Sequence, residues 1–336
     1  MKIFSNHKQL FGIAFLFFIV LSVAVAIFPA LDNQKNNAQL PGSEPASEMA
    51  IAGKYVFIAN GCVACHTQQV RNVAMDKPWG SRPGVPADYA ANKRMAWWMN
   101  TATLMGTERT GPDLTNISNR LPSADWHLLH LFNPRAVVAQ SIMPSYPWMF
   151  AWKDRVESGE KEVKVPIEFS DGHDGQTLVA KEEALQLVAY LQSLKQTPLP
   201  TGAPDPFFLY EMKAGDGTSK AKSSVGLDGA LLYATHCQAC HQPNGEGLMG
   251  AFPPLKGSKI VLDENPEVLI DIIMNGYNAR EEFAEMPAVG SNSGLTPEEV
   301  TAIANHERSS WGNDAVLLGE DEVKAILELI NNETIN

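Results

Sequence analysis

The longest apolar run in the chain, residues 10–31, carries no charged side chain. As a helix it measures about 33 Å, enough to cross a bilayer. Lys2 and Lys8 stand before it and Asp32 after it, which places the N-terminus in the cytoplasm and the bulk of the chain outside. A cleaved signal peptide has an apolar core of only about 7–15 residues. The stretch Ala26, Ile27, Phe28, Pro29, Ala30 also makes a poor cleavage site. A retained single-pass anchor over residues 1–31 is therefore expected. The polar stretch after it, rich in Asn, Gln, Pro and Ser, reads as a flexible tether, and the linker is placed at 32–50.

Further on, apolar positions recur at helical spacing. Ile51, Tyr55, Ile58 and Ala59 predict a short helix, and residues 126–134 another that ends at proline. Ala184, Leu187, Val188, Leu191 and Leu194 predict a third over 181–196. Residues 197–224, with Pro, Gly, Lys and Ser, read as a second linker. The pattern then begins again, with helices predicted over 227–236, 266–275 and 296–308. The last has Thr296 as N-cap, Pro297 at its first position, and Glu298 and Glu299 in its first turn. Residues 153–177 are charged and contain glycine; they are compatible with a hairpin and otherwise have no assignment. The predicted fold is mainly α: an N-terminal transmembrane helix followed by two helical domains, 51–196 and 225–336.

The first helix of each domain runs into the same motif. Cys62, Cys65 and His66 form Cys-x-x-Cys-His, and Cys237, Cys240 and His241 form it again. This is the attachment signature of a c-type haem. The two thiols add across the haem vinyl groups, and the adjacent histidine is placed to ligate the iron. No other cysteine exists in the chain, so none remains for a disulfide, a copper–thiolate centre or a nucleophile. A zinc site would want a second Cys/His pair at short spacing, and a thioredoxin-like pair a βαβ context. Neither is present. Two covalently bound haem C groups are expected, in two cytochrome c-like domains.

Other candidates follow from the chemistry of such a site. Gly111-Pro112 and the Pro253 of Phe-Pro-Pro-Leu stand in corresponding places downstream of the two motifs. A carbonyl at that point would hold the free ring nitrogen of the histidine and fix its orientation, although a plain turn is the other reading of a Gly-Pro pair. Met143 and Met286, each followed by proline, are the candidate sixth ligands. A thioether stabilises ferrous iron, and His/Met ligation raises the potential. Most methionines serve packing, and Met105 and Met149 are the alternatives in the first domain. His127 and His130 share a helix face and could ligate a metal, although histidines so placed are more often surface or satisfied core residues. A peroxidase reading is weaker, since it would need an open iron position whereas both haems have a methionine candidate, and no catalytic residue is assigned.

Haem is attached outside the cytoplasmic membrane, so both domains are expected in the periplasm, tethered to a bacterial inner membrane. The net charge of −12 is unevenly spread: residues 1–200 are close to balance and 201–336 carry the acidic surplus. That argues against a nucleic-acid partner and suggests a basic electron donor, such as a basic cytochrome, for the second domain. A solvated acidic surface without a docking role is the other reading.

Several motifs of the first domain occur in the order seen in a known family. Gly-Cys-Val-Ala-Cys-His-Thr-Gln-Gln-Val-Arg, Arg-Thr-Gly-Pro-Asp-Leu, Trp-His-Leu-Leu-His-Leu-Phe-Asn-Pro-Arg and Met-Pro-Ser-Tyr-Pro-Trp, together with the anchor, resemble the membrane-anchored monohaem cytochrome c subunit of cbb3-type cytochrome c oxidases, over about residues 8–196. The second domain is similar to class I cytochromes c in general, through Cys-Gln-Ala-Cys-His-Gln-Pro-Asn-Gly-Glu-Gly, Phe-Pro-Pro-Leu and Trp-Gly-Asn, and by itself names a fold and no partner. The family's subunit carries one haem, whereas two motifs stand here, and residues 71–111 look divergent. The resemblance implies that His66 and Met143 ligate the first haem. It also implies that electrons pass from it to the haem–copper catalytic subunit, a separate membrane protein. The single spanning segment excludes that catalytic role for this chain. A free-standing tethered dihaem shuttle and an electron-input subunit of a nitric oxide reductase are the other function classes considered.

Overall fold

The computed structural model describes residues 6–36, 40–89, 104–106, 108–170, 172–204, 206–208, 227–280 and 282–333. Trp97, Trp98 and most of the second predicted linker lie outside the described residues. At the N-terminus, α1 (His7–Leu21) continues without a break through a π-helical turn (Ser22–Ile27) into α2 (Phe28–Asn36). The stretch His7–Asp32 is long and apolar enough to cross a membrane, and none of it is buried against the protein. Phe11, Phe15, Leu16, Phe17 and Phe18 are all outward-facing, as a helix solvated by lipid requires. The helix carries on past Asp32 into the region predicted to be a tether.

The first helical unit is built on a crossing of α3 (Glu48–Ala59) with α7 (Glu182–Ser193). Ser47 Oγ accepts the Ala50 N–H at 3.1 Å and starts α3. Ala50, Gly53 and Phe57 are its buried face. Phe57 meets Tyr190 of α7 edge-on, with centroids 5.5 Å apart. Ile51, Tyr55 and Ile58, whose spacing predicted the helix, are exposed. At Gly53 the helices approach so closely that no side chain fits: a β-carbon there would lie 1.8 Å from Gln186 O. The side of α3 that carries Ile51, Tyr55 and Ile58 is turned outward by that approach.

Between these two helices the chain forms α4 (Ile117–Arg120), α5 (Ala124–Phe132) and α6 (Pro134–Val137). Leu128, Leu129, Met149, Leu178, Leu187 and Val188 fill the core they share. Three short strands, β1 (Phe150–Lys153), β2 (Lys161–Val163) and β3 (Thr177–Ala180), pair antiparallel in the order β1-β3-β2. Phe150 lies opposite Ala180, and Val163 opposite Leu178. All four residues are buried, so the charged insertion at 153–177 folds as a small sheet seated on the core.

The second unit repeats the plan with less decoration. It comprises α8 (Gly229–His236), α9 (Gln238–His241), α10 (Glu267–Asn275), α11 (Val289–Ser293), α12 (Pro297–Ser309) and α13 (Glu320–Glu333). The predicted start of α12 is a full capping box between Thr296 and Glu299. Helices α8 and α12 cross as α3 and α7 do: a β-carbon on Gly229 would lie 2.2 Å from Ala302 O. Helix α13 has no counterpart among the predicted elements, although Val323, Ile326 and Leu327 fall at helical spacing and are buried in the second core.

Candidate functional site

Helices α3 and α8 each deliver a Cys-x-x-Cys-His segment to the edge of a core. In the first, the His66 N–H donates to Cys62 O at 3.0 Å; in the second, the His241 N–H donates to Cys237 O at 3.0 Å. This single turn brings both cysteines and the histidine together within five consecutive residues. The cysteines are free. Burial pushes the Cys240 thiol up to about 12 and raises Cys237 and Cys62 as well. Such thiols are protonated at neutral pH, the reverse of the low-pKa thiolate that disulfide exchange needs.

Each histidine ring is anchored in the same way. His66 Nδ1 lies 2.8 Å from Pro112 O, and His241 Nδ1 lies 2.9 Å from Pro253 O. A ring that donates Nδ1–H to a carbonyl leaves Nε2 as its metal-facing nitrogen. Gly111 makes room for this in the first site, since a β-carbon there would stand 2.3 Å from the His66 ring. Asp113 closes the turn: its Oδ2 accepts from Thr67 Oγ1 at 2.6 Å and from the Gln69 N–H at 2.8 Å. Burial is the main cause that lowers the pKa of both histidines, opposed by the bond to the proline carbonyl, which favours the neutral imidazole that binds iron.

The two Met-Pro segments are held by their backbones. Arg135 Nη1 donates to Ser141 O at 3.1 Å and to Met143 O at 3.0 Å, while its Nη2 donates to Ser145 Oγ at 2.7 Å. One guanidinium thus pins the whole turn around Met143. Met286 is fixed by a reciprocal pair of 2.9 Å bonds with Tyr277. Met149 is fully buried in the first core, committed to packing, and Met105 is more than a third exposed.

The remaining predicted histidines separate. His127 is buried and bonded through Nε2 to Leu121 O at 2.8 Å, and burial drives its pKa down to about 4. It is a satisfied core residue. His130 is half-buried, stacked on Trp126 with planes 13° apart, and desolvation, with the charges of His127 and His66, drives its pKa to about 3. Among the described residues, no three His, Cys, Asp or Glu side chains converge as a metal site of protein ligands alone.

The donor set fits a c-type haem. Each site offers two thiols and an imidazole with one nitrogen free. Near the first, Gln68 Nε2, Thr115 Oγ1, Arg120 Nε and His130 Nδ1 are buried without a hydrogen-bond partner among the described residues. Buried polar atoms are normally paired, and a ligand with polar arms, such as the haem propionates, would pair them.

One buried acid was not among the sequence candidates. Glu307 on α12 is 3% exposed, and burial lifts its carboxyl from 4.5 to about 8. The folded chain therefore holds a proton that the unfolded chain releases above pH 4.5, so stability falls as pH rises from 4.5 to about 8. Glu307→Gln is expected to remove this slope, raising the thermal midpoint of the second unit at pH 8.5 and leaving it nearly unchanged at pH 5. The gain corresponds to on the order of 3–5 kcal/mol. Parallel melting curves for the two proteins across that range would refute it.

Comparison with known proteins adds independent findings. The family description "Cytochrome C oxidase, mono-heme subunit/FixO" matches residues 1–170, and "Cytochrome C oxidase, cbb3-type, subunit III" matches residues 225–306. The chain is 40% identical over 92 residues to cytochrome c-552 of Thermus thermophilus, covering 26% of this chain and 70% of that protein. It is 31% identical over 134 residues to the cytochrome c subunit of a quinone alcohol dehydrogenase from Gluconacetobacter polyoxogenes, covering 38% of this chain and 27% of that subunit. It is 34% identical over 119 residues to the fructose dehydrogenase cytochrome subunit of Gluconobacter japonicus, covering 34% and 24%. The chain thus spans only about a quarter of the length of the dehydrogenase subunits it matches.

Proposed function

Because the chain belongs to the mono-haem FixO subunit family of cytochrome c oxidases, we propose that it is the dihaem electron-input subunit of a cbb3-type oxidase, passing electrons from a donor through the haem of the second unit to the haem of the first and on to the catalytic subunit. Membership makes it an electron-transfer cytochrome c subunit with covalently bound haem, associated with a haem–copper oxidase complex and provided with an apolar N-terminal helix suited to membrane anchoring.

Two haems, one held by Cys62, Cys65, His66 and Met143 and the other by Cys237, Cys240, His241 and Met286, are the reading that the matched histidine geometry supports best. The observation that carries it is the repeat of one arrangement, imidazole Nδ1 to proline carbonyl at 2.8 and 2.9 Å. The units 1–31, 51–196 and 225–336, joined by linkers at 32–50 and 197–224, are the corresponding domains. The two haem units lie in the periplasm of a bacterial inner membrane, with the N-terminus in the cytoplasm.

The direction of flow is supported by what surrounds each motif. Cys65 is exposed, whereas Cys240 packs against the core of the first unit. The first site therefore has an edge free for a partner in the membrane, on the same unit as the exposed Ile51 and Ile58 of α3. The acidic surplus of residues 201–336 suits docking of a basic donor on the second unit.

Gentle extraction of the tagged protein from its membranes tests the reading. Haem B is expected to co-purify with haem C, and the preparation to consume oxygen when supplied with a reduced cytochrome. Haem C alone in a stable preparation would overturn it in favour of a tethered shuttle. Haem B without oxygen uptake would redirect the assignment to nitric oxide as acceptor.

A further inference from the structure

Helix α5 of the first unit touches both chain segments that flank the second site. Trp126 Nε1 donates to Ala239 O at 2.9 Å, inside the Cys237–Cys240 attachment loop. Asp125 Oδ2 accepts the Glu285 N–H at 3.2 Å, one residue before Met286, and Lys161 holds the same carboxylate at 2.6 Å. Ala239 and Cys240 pack against the first core, and Phe252, the residue before Pro253, is buried in it. The edge of the second site that carries Cys240 is therefore capped by α5.

The contact continues inward. His130 is one turn along α5, on the same face as Trp126. The two rings stack with centroids 4.6 Å apart and planes 13° from parallel. Trp126 is buried and His130 half-buried. His130 Nδ1 has no hydrogen-bond partner among the described residues, and Trp126 belongs to the core against which Cys62 and Val63 of the first site pack. A stacked pair of rings thus runs from a backbone bond at one attachment loop into the core that the other attachment loop packs against. Electron tunnelling weakens steeply across gaps and less steeply through packed and bonded atoms.

On the reading that both sites carry haem, we propose that the stacked Trp126–His130 pair is the conduit for electron exchange between them. One electron leaves the ferrous iron of one site and reduces the ferric iron of the other. The two rings are left in their original oxidation and protonation states, and no other reactant is consumed. A docking role alone would also explain a buried tryptophan at a boundary, so the test separates the two.

The test uses the full-length, detergent-solubilised chain with both haems. One haem is reduced by a flash from an attached photosensitiser, and equilibration with the other is followed by absorbance. Trp126→Leu is expected to slow that equilibration by roughly tenfold or more, and His130→Leu to slow it in the same direction. Trp126→Phe keeps a ring and loses only the bond to Ala239, and is expected to fall between. In the two Trp126 variants the spectra and midpoint potentials of both haems, and the iron–iron distance from pulsed electron paramagnetic resonance, stay at their parental values. An unchanged rate in Trp126→Leu overturns the proposal. A slower rate accompanied by a longer iron–iron distance overturns it too, leaving Trp126 a docking residue. A parent chain whose haems do not exchange electrons at all would sink the haem-to-haem route of the proposed function and this pair with it.

Discussion

Valine at position 53 or 229 is expected to remove one folded haem unit and leave the other standing. Gly53 and Gly229 are the points where α3 touches α7 and α8 touches α12. A β-carbon on Gly53 would meet Gln186 O at 1.8 Å and Tyr190 Cβ at 2.9 Å; one on Gly229 would meet Ala302 O at 2.2 Å and His306 Cβ at 3.1 Å. The closest obstacles are backbone carbonyls inside helices, which cannot rotate away. Relief requires separating α3 from α7, or α8 from α12, and with them the turn that carries the cysteines. Overpacking ordinarily costs about 1–3 kcal/mol; a clash with backbone at these distances belongs at or above the top of that range. A domain has only roughly 5–15 kcal/mol in total. On the proposed two-haem reading, haem C content per chain, read from the pyridine haemochrome spectrum, should halve in either variant. Trypsin should cut within 51–196 for Gly53→Val and within 225–336 for Gly229→Val. Full haem content with parental resistance to trypsin would show that the helices can part at no cost.

Met143→His and Met286→His are each expected to lower the midpoint potential of one haem and leave the other where it was. Imidazole in place of a thioether removes the preference for ferrous iron that His/Met ligation confers. The drop should be at least ~0.1 V, within the roughly 0.8 V range over which axial ligands tune haem. Both methionines sit on backbones that are already fixed, Met143 by Arg135 and Met286 by Tyr277, so the substituted side chain starts from the same place. Redox titration followed at the two haem bands reads both potentials in one experiment. An unmoved potential in Met143→His would pass the role to Met105, because Met149 is enclosed in the core.

The chemistry of this protein was legible in local sequence because its essential geometry is local. Cys-x-x-Cys-His places two thiols and an imidazole within one turn, and no tertiary contact is needed to say what such a set binds. The apolar stretch ahead of Asp32, the capping box at Thr296 and the repeat of helix, motif and Met-Pro were equally readable, since each rests on spacing along the chain. The carbonyls of Pro112 and Pro253 were candidates from order alone, and both lie within 3 Å of the ring nitrogen of their histidine.

Tertiary structure decided what depends on how closely elements approach. Ile51, Tyr55 and Ile58 are apolar positions whose spacing predicted α3, and spacing alone does not say which side of it is buried. They face outward because the crossing at Gly53 admits no side chain, and a glycine in a sequence does not say which backbone will come near it. His127 and His130 look alike three residues apart. One is satisfied by Leu121 O, while the other lies against Trp126 without a hydrogen-bond partner for Nδ1 among the described residues. Trp126 and Ala239 lie far apart along the chain and meet only because two helical units dock through α5. Cys-x-x-Cys-His determines that each unit can carry a haem; which edge of that haem is exposed and which faces its neighbour is set by packing between units, where spacing along the chain carries no information.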